Sequence, residues 1–144
     1  MSTANISTAR RLFEQGWGGR NLRVFDETCH RTMVNHDPVS PDLKPGLDAV
    51  KENASGYFTA FPDLTFTIED IIDAGDKVIV RYTGSGTHKG PLAGVAPTNK
   101  RVSAGGITIL RFQGDKVAES WAYWDALGLM RQLGAVPLAA KAGR

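Results

Sequence analysis

Residues 64–85 read LTFTIEDIIDAGDKVIVRYTGS, and their apolar side chains recur at every second position on either side of Asp73-Ala-Gly75-Asp. Alternation of this kind marks a strand with one buried face, and an Asp/Gly break between two such runs marks a reversal. The stretch predicts two antiparallel strands, Leu64–Ile72 and Lys77–Ser85. A long Gly/Pro loop follows, and the same period then returns in Val102–Phe112 and Val117–Trp124, split by Gln113-Gly-Asp115. Upstream the spacing is that of helices. Ser7 is placed to cap one through Ala9, Leu12 and Phe13 toward Trp17, with Gly16, Gly18 and Gly19 ending it. Leu22, Phe25 and Cys29 mark a second, and Asp48 opens a third with Val50, Ala54, Tyr57, Phe58 and Phe61 as its apolar stripe and Pro62 as its stop. Met33–His36 reads as a short strand, and Leu127–Leu133 as one closing turn of helix. Helices first and antiparallel strands afterwards predict an α+β fold. No composition break divides residues 1–144, so one domain is expected, with mobile tails at 1–5 and 137–144.

The bulk numbers exclude more than they assign. A hydrophobic share of 42% in 144 residues is enough for one core and a lined cavity. Seventeen Lys+Arg stand against fifteen Asp+Glu, a net +2 without runs of like charge, which speaks against nucleic acid or a membrane surface as partner. Cys29 is the only cysteine, which rules out an internal disulfide, and neither Cys/His ligand spacing nor a nucleotide motif is present. The expectation is a soluble cytoplasmic protein that uses no metal and no cofactor.

Candidate chemistry clusters in three places. In Glu119-Ser-Trp121-Ala-Tyr123-Trp124-Asp125, strand geometry puts Glu119, Trp121, Tyr123 and Asp125 on one face. A carboxylate among aromatic walls is a candidate general base, and at a strand's end it is equally a candidate helix N-cap; the two roles are compatible. His88, in the flexible loop after the second long strand, can reach over a cavity mouth to donate to a developing enolate, or can hold the loop's backbone. Asn35 and His36 precede Asp37-Pro38, where one side chain can point inward or the whole segment can be turn chemistry. Arg81 and Arg111 are read as structural partners of carboxylates such as Asp70 and Glu119.

Taken together, several segments resemble the SnoaL-like polyketide cyclases of the nuclear-transport-factor-2-like, cystatin-related superfamily. They are Phe61-Pro-Asp-Leu64, Asp76-Lys-Val78-Ile-Val80-Arg81, GTHKGPLAGVAPTNK (86–100) and Arg111-Phe-Gln-Gly-Asp115-Lys-Val117. Glu119-Ser-Trp121…Asp125…Gly128-Leu129…Gln132-Leu133-Gly134 completes the set. The resemblance implies a curved antiparallel sheet wrapped around the N-terminal helices, a cone enclosing an apolar pocket, in a homodimer or higher oligomer. It also implies cofactor-independent intramolecular aldol condensation of a small hydrophobic carbonyl substrate, with the family's catalytic aspartate matching Asp125. Expected site residues are then Asp125 and His88 for chemistry, and Trp121, Tyr123, Trp17, Phe61, His36 and Asn35 for substrate. Leu110 stands where the family often has a histidine before its arginine, and Ser120 where it often has histidine before tryptophan. A hydrolase or isomerase on the same cone, with an arginine bridging two acids, and a non-catalytic binding protein are the competing expectations.

Overall fold

Ala9, Leu12 and Phe13 present one apolar edge to the sheet, and the helix that carries them starts earlier than Ser7. In the computed structural model, which describes residues 2–136, α1 spans Ser2–Arg11 and continues as a π-helical segment, Leu12–Trp17. Residues 2–5, expected to be mobile, form the first turn of α1, and Asn5 is buried there. The other expected tail, 137–144, lies outside the described residues.

The chain then runs α2 (Leu22–Thr28), β1 (Cys29–His36), α3 (Leu47–Ala60), β2 (Thr65–Ala74), β3 (Lys77–Thr87), β4 (Arg101–Gln113), β5 (Lys116–Trp124) and α4 (Ala126–Leu133). Asn21 caps α2 by accepting from the Arg23 N–H at 3.1 Å. Cys29, read from spacing as helical, is instead the first residue of β1. Gly134, at φ +80°, closes α4 in the left-handed conformation that glycine adopts without strain.

The five strands form one sheet in the order β1-β5-β4-β3-β2. Pairs β2/β3, β3/β4 and β4/β5 are antiparallel, but β1 lies parallel to β5, so the sheet is mixed rather than purely antiparallel. The reason is the route of the chain. After β1 it crosses by α3 to the far edge, and the β2–β5 meander walks back until its last strand arrives beside the first.

Three register shifts bend the ladder, between Cys29 and Val34, Ile68 and Asp70, and Arg111 and Phe112. Bulges of this kind increase twist and curl the sheet around the helices. The core divides in two. Phe13, Phe25, Val50, Val78, Leu110 and Val117 pack under α1 and α3, while Phe61, Leu64, Val102, Leu129 and Leu133 pack under α4. Each such fully buried side chain is worth about 1.5–3 kcal/mol of transfer free energy. The space between the two clusters is not filled.

Candidate active site

That space is a cavity of about 120 Å3. Leu12, Phe13 and Trp17 reach it from the π-helical segment, Val50 and Tyr57 from α3, and Phe66, Tyr82, Ala104, Leu110 and Trp124 from the concave face of the sheet. The π-helical turn is held by bonds five residues apart, Gly18 N–H to Phe13 C=O at 2.8 Å and Asn21 N–H to Gly16 C=O at 2.9 Å. This wide backbone accepts only glycine at position 19, because a Cβ there would lie 2.4 Å from the Gln15 carbonyl oxygen. Helix widenings of this type recur at functional sites.

Polar groups gather on one side of the apolar cavity. Asp37, at the turn after β1, is buried and holds four donors. Its Oδ1 accepts from the Val39 N–H (3.0 Å) and the Trp124 indole (3.3 Å), and its Oδ2 from the Asn53 amide (3.1 Å) and the Tyr57 hydroxyl (2.7 Å). Burial, followed by the charge of Asp37, pushes the Tyr57 hydroxyl far up, so it remains a protonated donor. Beside this cluster, Asn35 and Ser120 face each other across the parallel β1/β5 pair, and the Ser120 hydroxyl donates to Asn35 Oδ1 at 2.6 Å. Thr108 donates to the Tyr82 hydroxyl at 3.3 Å. Burial raises the Tyr82 hydroxyl as well.

A cone of this shape with a polar-edged cavity has close counterparts. The family model described as SnoaL-like polyketide cyclase matches residues 7–133. The chain belongs to the SnoaL-like polyketide cyclase family. Among solved structures, TsrD from Streptomyces laurentii is 27% identical with a TM-score of 0.85, covering 94% of this chain and 99% of that one. A candidate SnoaL-like polyketide cyclase from Jannaschia sp. CCS1 is 27% identical with a TM-score of 0.82, covering 94% and 95%. AclR from Streptomyces galilaeus, named as a candidate hydroxylase, is 25% identical with a TM-score of 0.84, covering 99% and 88%. The chain has no match among curated proteins.

Against this family frame, the expected site residues separate. Trp17, Phe61 and Asn35 line the cavity. Trp121, Tyr123 and His36 do not. They lie on the convex face, where His36 stacks on Trp121 and Tyr123 is 68% exposed. The correction has a local cause. Arg111 pairs with Glu119 but Phe112 pairs with Val117, so Ala118 is an extra residue in β5. Val117 points inward, the bulge shifts the phase, and Ser120, Ala122 and Trp124 become the inward set. Glu119, Trp121 and Tyr123 share a face as their spacing requires, and that face is the outer one.

His88 is also corrected. It is fully buried, outside the cavity lining, with its ring 5.7 Å from that of Phe61. Its Nδ1 accepts from the Thr98 N–H at 3.2 Å, and its backbone bonds to Lys100 and Asn99, so it ties the 88–100 loop down. Asp125 caps α4, with Oδ1 accepting from the Gly128 N–H at 2.8 Å. It is exposed and follows Trp124, whose indole lines the cavity. A Cβ at Gly128 would sit 2.1 Å from Asp125 Oδ2, so any larger residue there would have to displace the capping carboxylate.

Arg81 pairs with Asp70 and Arg111 with Glu119, as read from sequence, and neither arginine lines the cavity. An arginine bridging two acids around a water, the arrangement an epoxide opener needs, is therefore not assembled at the lining. Leu110, where the family often has histidine, faces the cavity as an apolar wall. Asp37, Tyr82, Thr108 and Ser120 were not singled out by sequence as site residues. The signal for Ser120 and Trp124 lay in the same alternation, read on the opposite face.

Proposed function

We propose that this family member is a cyclase-like enzyme that closes a ring in a hydrophobic carbonyl compound by intramolecular aldol chemistry. The observation that carries the reading is the cavity itself: apolar and aromatic walls interrupted by a few hydrogen-bonding side chains, Asn35, Tyr57, Tyr82, Thr108 and Ser120 among them. Such a site binds a carbon skeleton and fixes its oxygens. In the reaction, a base takes the proton from the carbon flanked by carbonyls. The enolate carbon then bonds to the second carbonyl carbon, and the resulting alkoxide recovers a proton. Asp125 is assigned as the base, from its match to the family motif. One of its oxygens is held by Gly128, and the other has no hydrogen-bond partner among the described residues. Asn35, whose amide oxygen is occupied by Ser120 while its N–H groups have no partner among the described residues, is assigned to the enolate oxygen.

The test is Asp125→Asn, assayed with an activated diketone able to cyclise. An amide caps α4 as well as a carboxylate does, so folding should be preserved. Loss of proton transfer should lower the rate by about 10²–10⁴. Full turnover in the folded variant would sink the assignment. A second reading, a non-catalytic binding protein, is favoured by one observation: Asp125 is exposed and outside the cavity lining. Ligand binding without turnover in the wild type would establish it.

The convex face is proposed as a homodimer interface. Ile72, Ile107 and Tyr123 are exposed apolar side chains on it. Val102 and Val117 are buried and point inward, away from that face. Sedimentation equilibrium showing only monomer at high micromolar concentration would remove the proposal.

A further inference from the structure

We propose that the cavity admits a compact carbonyl compound without negative charge, about one ring in size, and that Asp37 sets the charge preference. The proposal rests on the cavity being the substrate site and goes on to name what fits it.

Size comes first. The cavity measures about 120 Å3, and an apolar protein cavity of about 150 Å3 is the size that takes up a single benzene ring. Close packing makes a protein interior costly to expand. A single six-membered ring already fills the space, a small substituent reaching toward its open side, and fused multi-ring skeletons exceed it. The walls suit an unsaturated ring, since Phe13, Trp17, Phe66, Tyr82 and Trp124 all face the cavity.

Charge comes second. Asp37 is the one formally charged side chain among the lining residues, and no Lys, Arg or His joins it. An ionised carboxylate offers about four lone-pair sites. Val39, Trp124, Asn53 and Tyr57 occupy the sites of Asp37. It therefore has no site left to bond a ligand, and acts on one through its field. An anionic ligand would lose its water, meet a fixed like charge and find no cation at the lining. A neutral carbonyl meets the opposite conditions. The Asn35 amide N–H groups have no partner among the described residues, and the Tyr82 hydroxyl accepts from Thr108 while its own proton is unspent. Both are donors suited to a carbonyl oxygen.

Isothermal titration calorimetry on the intact chain tests this with three probes. Acetophenone is one ring and neutral, benzoate is nearly isosteric but anionic, and fluorenone is neutral with three fused rings. Acetophenone should bind saturably, benzoate at least about tenfold more weakly, and fluorenone should not displace acetophenone. In Asp37→Asn the gap between acetophenone and benzoate should shrink to less than about threefold. Equal wild-type affinities for acetophenone and benzoate, or displacement by fluorenone, would overturn the proposal. So would a folded Asp37→Asn protein that keeps the full gap. If that variant does not fold, the wild-type comparison of the three probes still decides. The expected binding pattern without any ring closure of diketones would sink the cyclase reading alone. Ring closure of multi-ring or anionic substrates would sink the present proposal alone.

Discussion

The two faces of the sheet carry similar chemical parts and differ in what water does to them. On the concave side a carboxylate, Asp37, is buried among the Tyr57 hydroxyl, the Trp124 indole and the Asn53 amide. On the convex side another, Glu119, lies between His36 at 2.8 Å and Arg111 at 3.3 Å, with His36 stacked on Trp121 at a ring separation of 5.6 Å. Solvent-exposed pairs are screened and contribute about 0–1 kcal/mol. Removing one partner from a buried polar cluster strands the others, at about 1–3 kcal/mol for each unsatisfied group. The comparison teaches that a carboxylate-plus-aromatic motif is not by itself a site. The face it lands on decides, and in β5 one extra residue, Ala118, decides the face.

Asp37→Ala should break the comparison most severely. It leaves the Val39 N–H, the Asn53 amide, the Tyr57 hydroxyl and the Trp124 indole without their acceptor. At about 1–3 kcal/mol for each unsatisfied group, the expected loss is more than about 3 kcal/mol. Urea unfolding should show it as a lower midpoint at unchanged slope. A loss below about 1 kcal/mol would mean that the buried cluster is no more demanding than the exposed pair.

The smallest effect is expected on the convex face. Glu119→Gln should cost less than about 1 kcal/mol at neutral pH. The hydrogen bond from His36, then that from Arg111, holds the Glu119 carboxyl below its ordinary range. Its unfolded value is thus the higher one. The stabilisation is present above the ordinary carboxylate range and is lost as pH falls through the folded value. Urea unfolding of wild type and variant should therefore converge at acid pH. A difference that widens on acidification would reverse the sign and contradict the ion-pair account.

These outcomes bear on what could be read from residues alone. Alternation made β2 to β5 legible because each has one wet and one dry face, and the stripe Val50, Ala54, Tyr57 made α3 legible for the same reason. Trp17, Phe61 and Asn35, which belong to such patterns or border them, line the cavity. Trp121 and Tyr123 were assigned to the wrong side because a bulge changes phase without changing composition. Asp37 was read as turn chemistry, and it does sit in a turn, with its backbone carbonyl accepting from the Ser40 N–H at 3.0 Å. Its second role depends on Asn53, Tyr57 and Trp124, which reach it only through tertiary contacts. The parallel placement of β1 was equally hidden, since it follows from the route of α3 across the sheet.

The central claim is that function resides on the concave face, and two neighbouring residues test it most directly. Ala122 lines the cavity, while Tyr123, next in the chain, is 68% exposed on the other side. Ala122→Leu fills cavity space at a stability cost of about 1–3 kcal/mol, and Tyr123→Ala removes only a convex side chain. Calorimetric titration of both folded variants with acetophenone is the measurement. The account predicts that Ala122→Leu weakens binding by at least about tenfold while Tyr123→Ala binds as the wild type does. Retained binding in Ala122→Leu together with loss in Tyr123→Ala would place the site on the convex face and contradict the account.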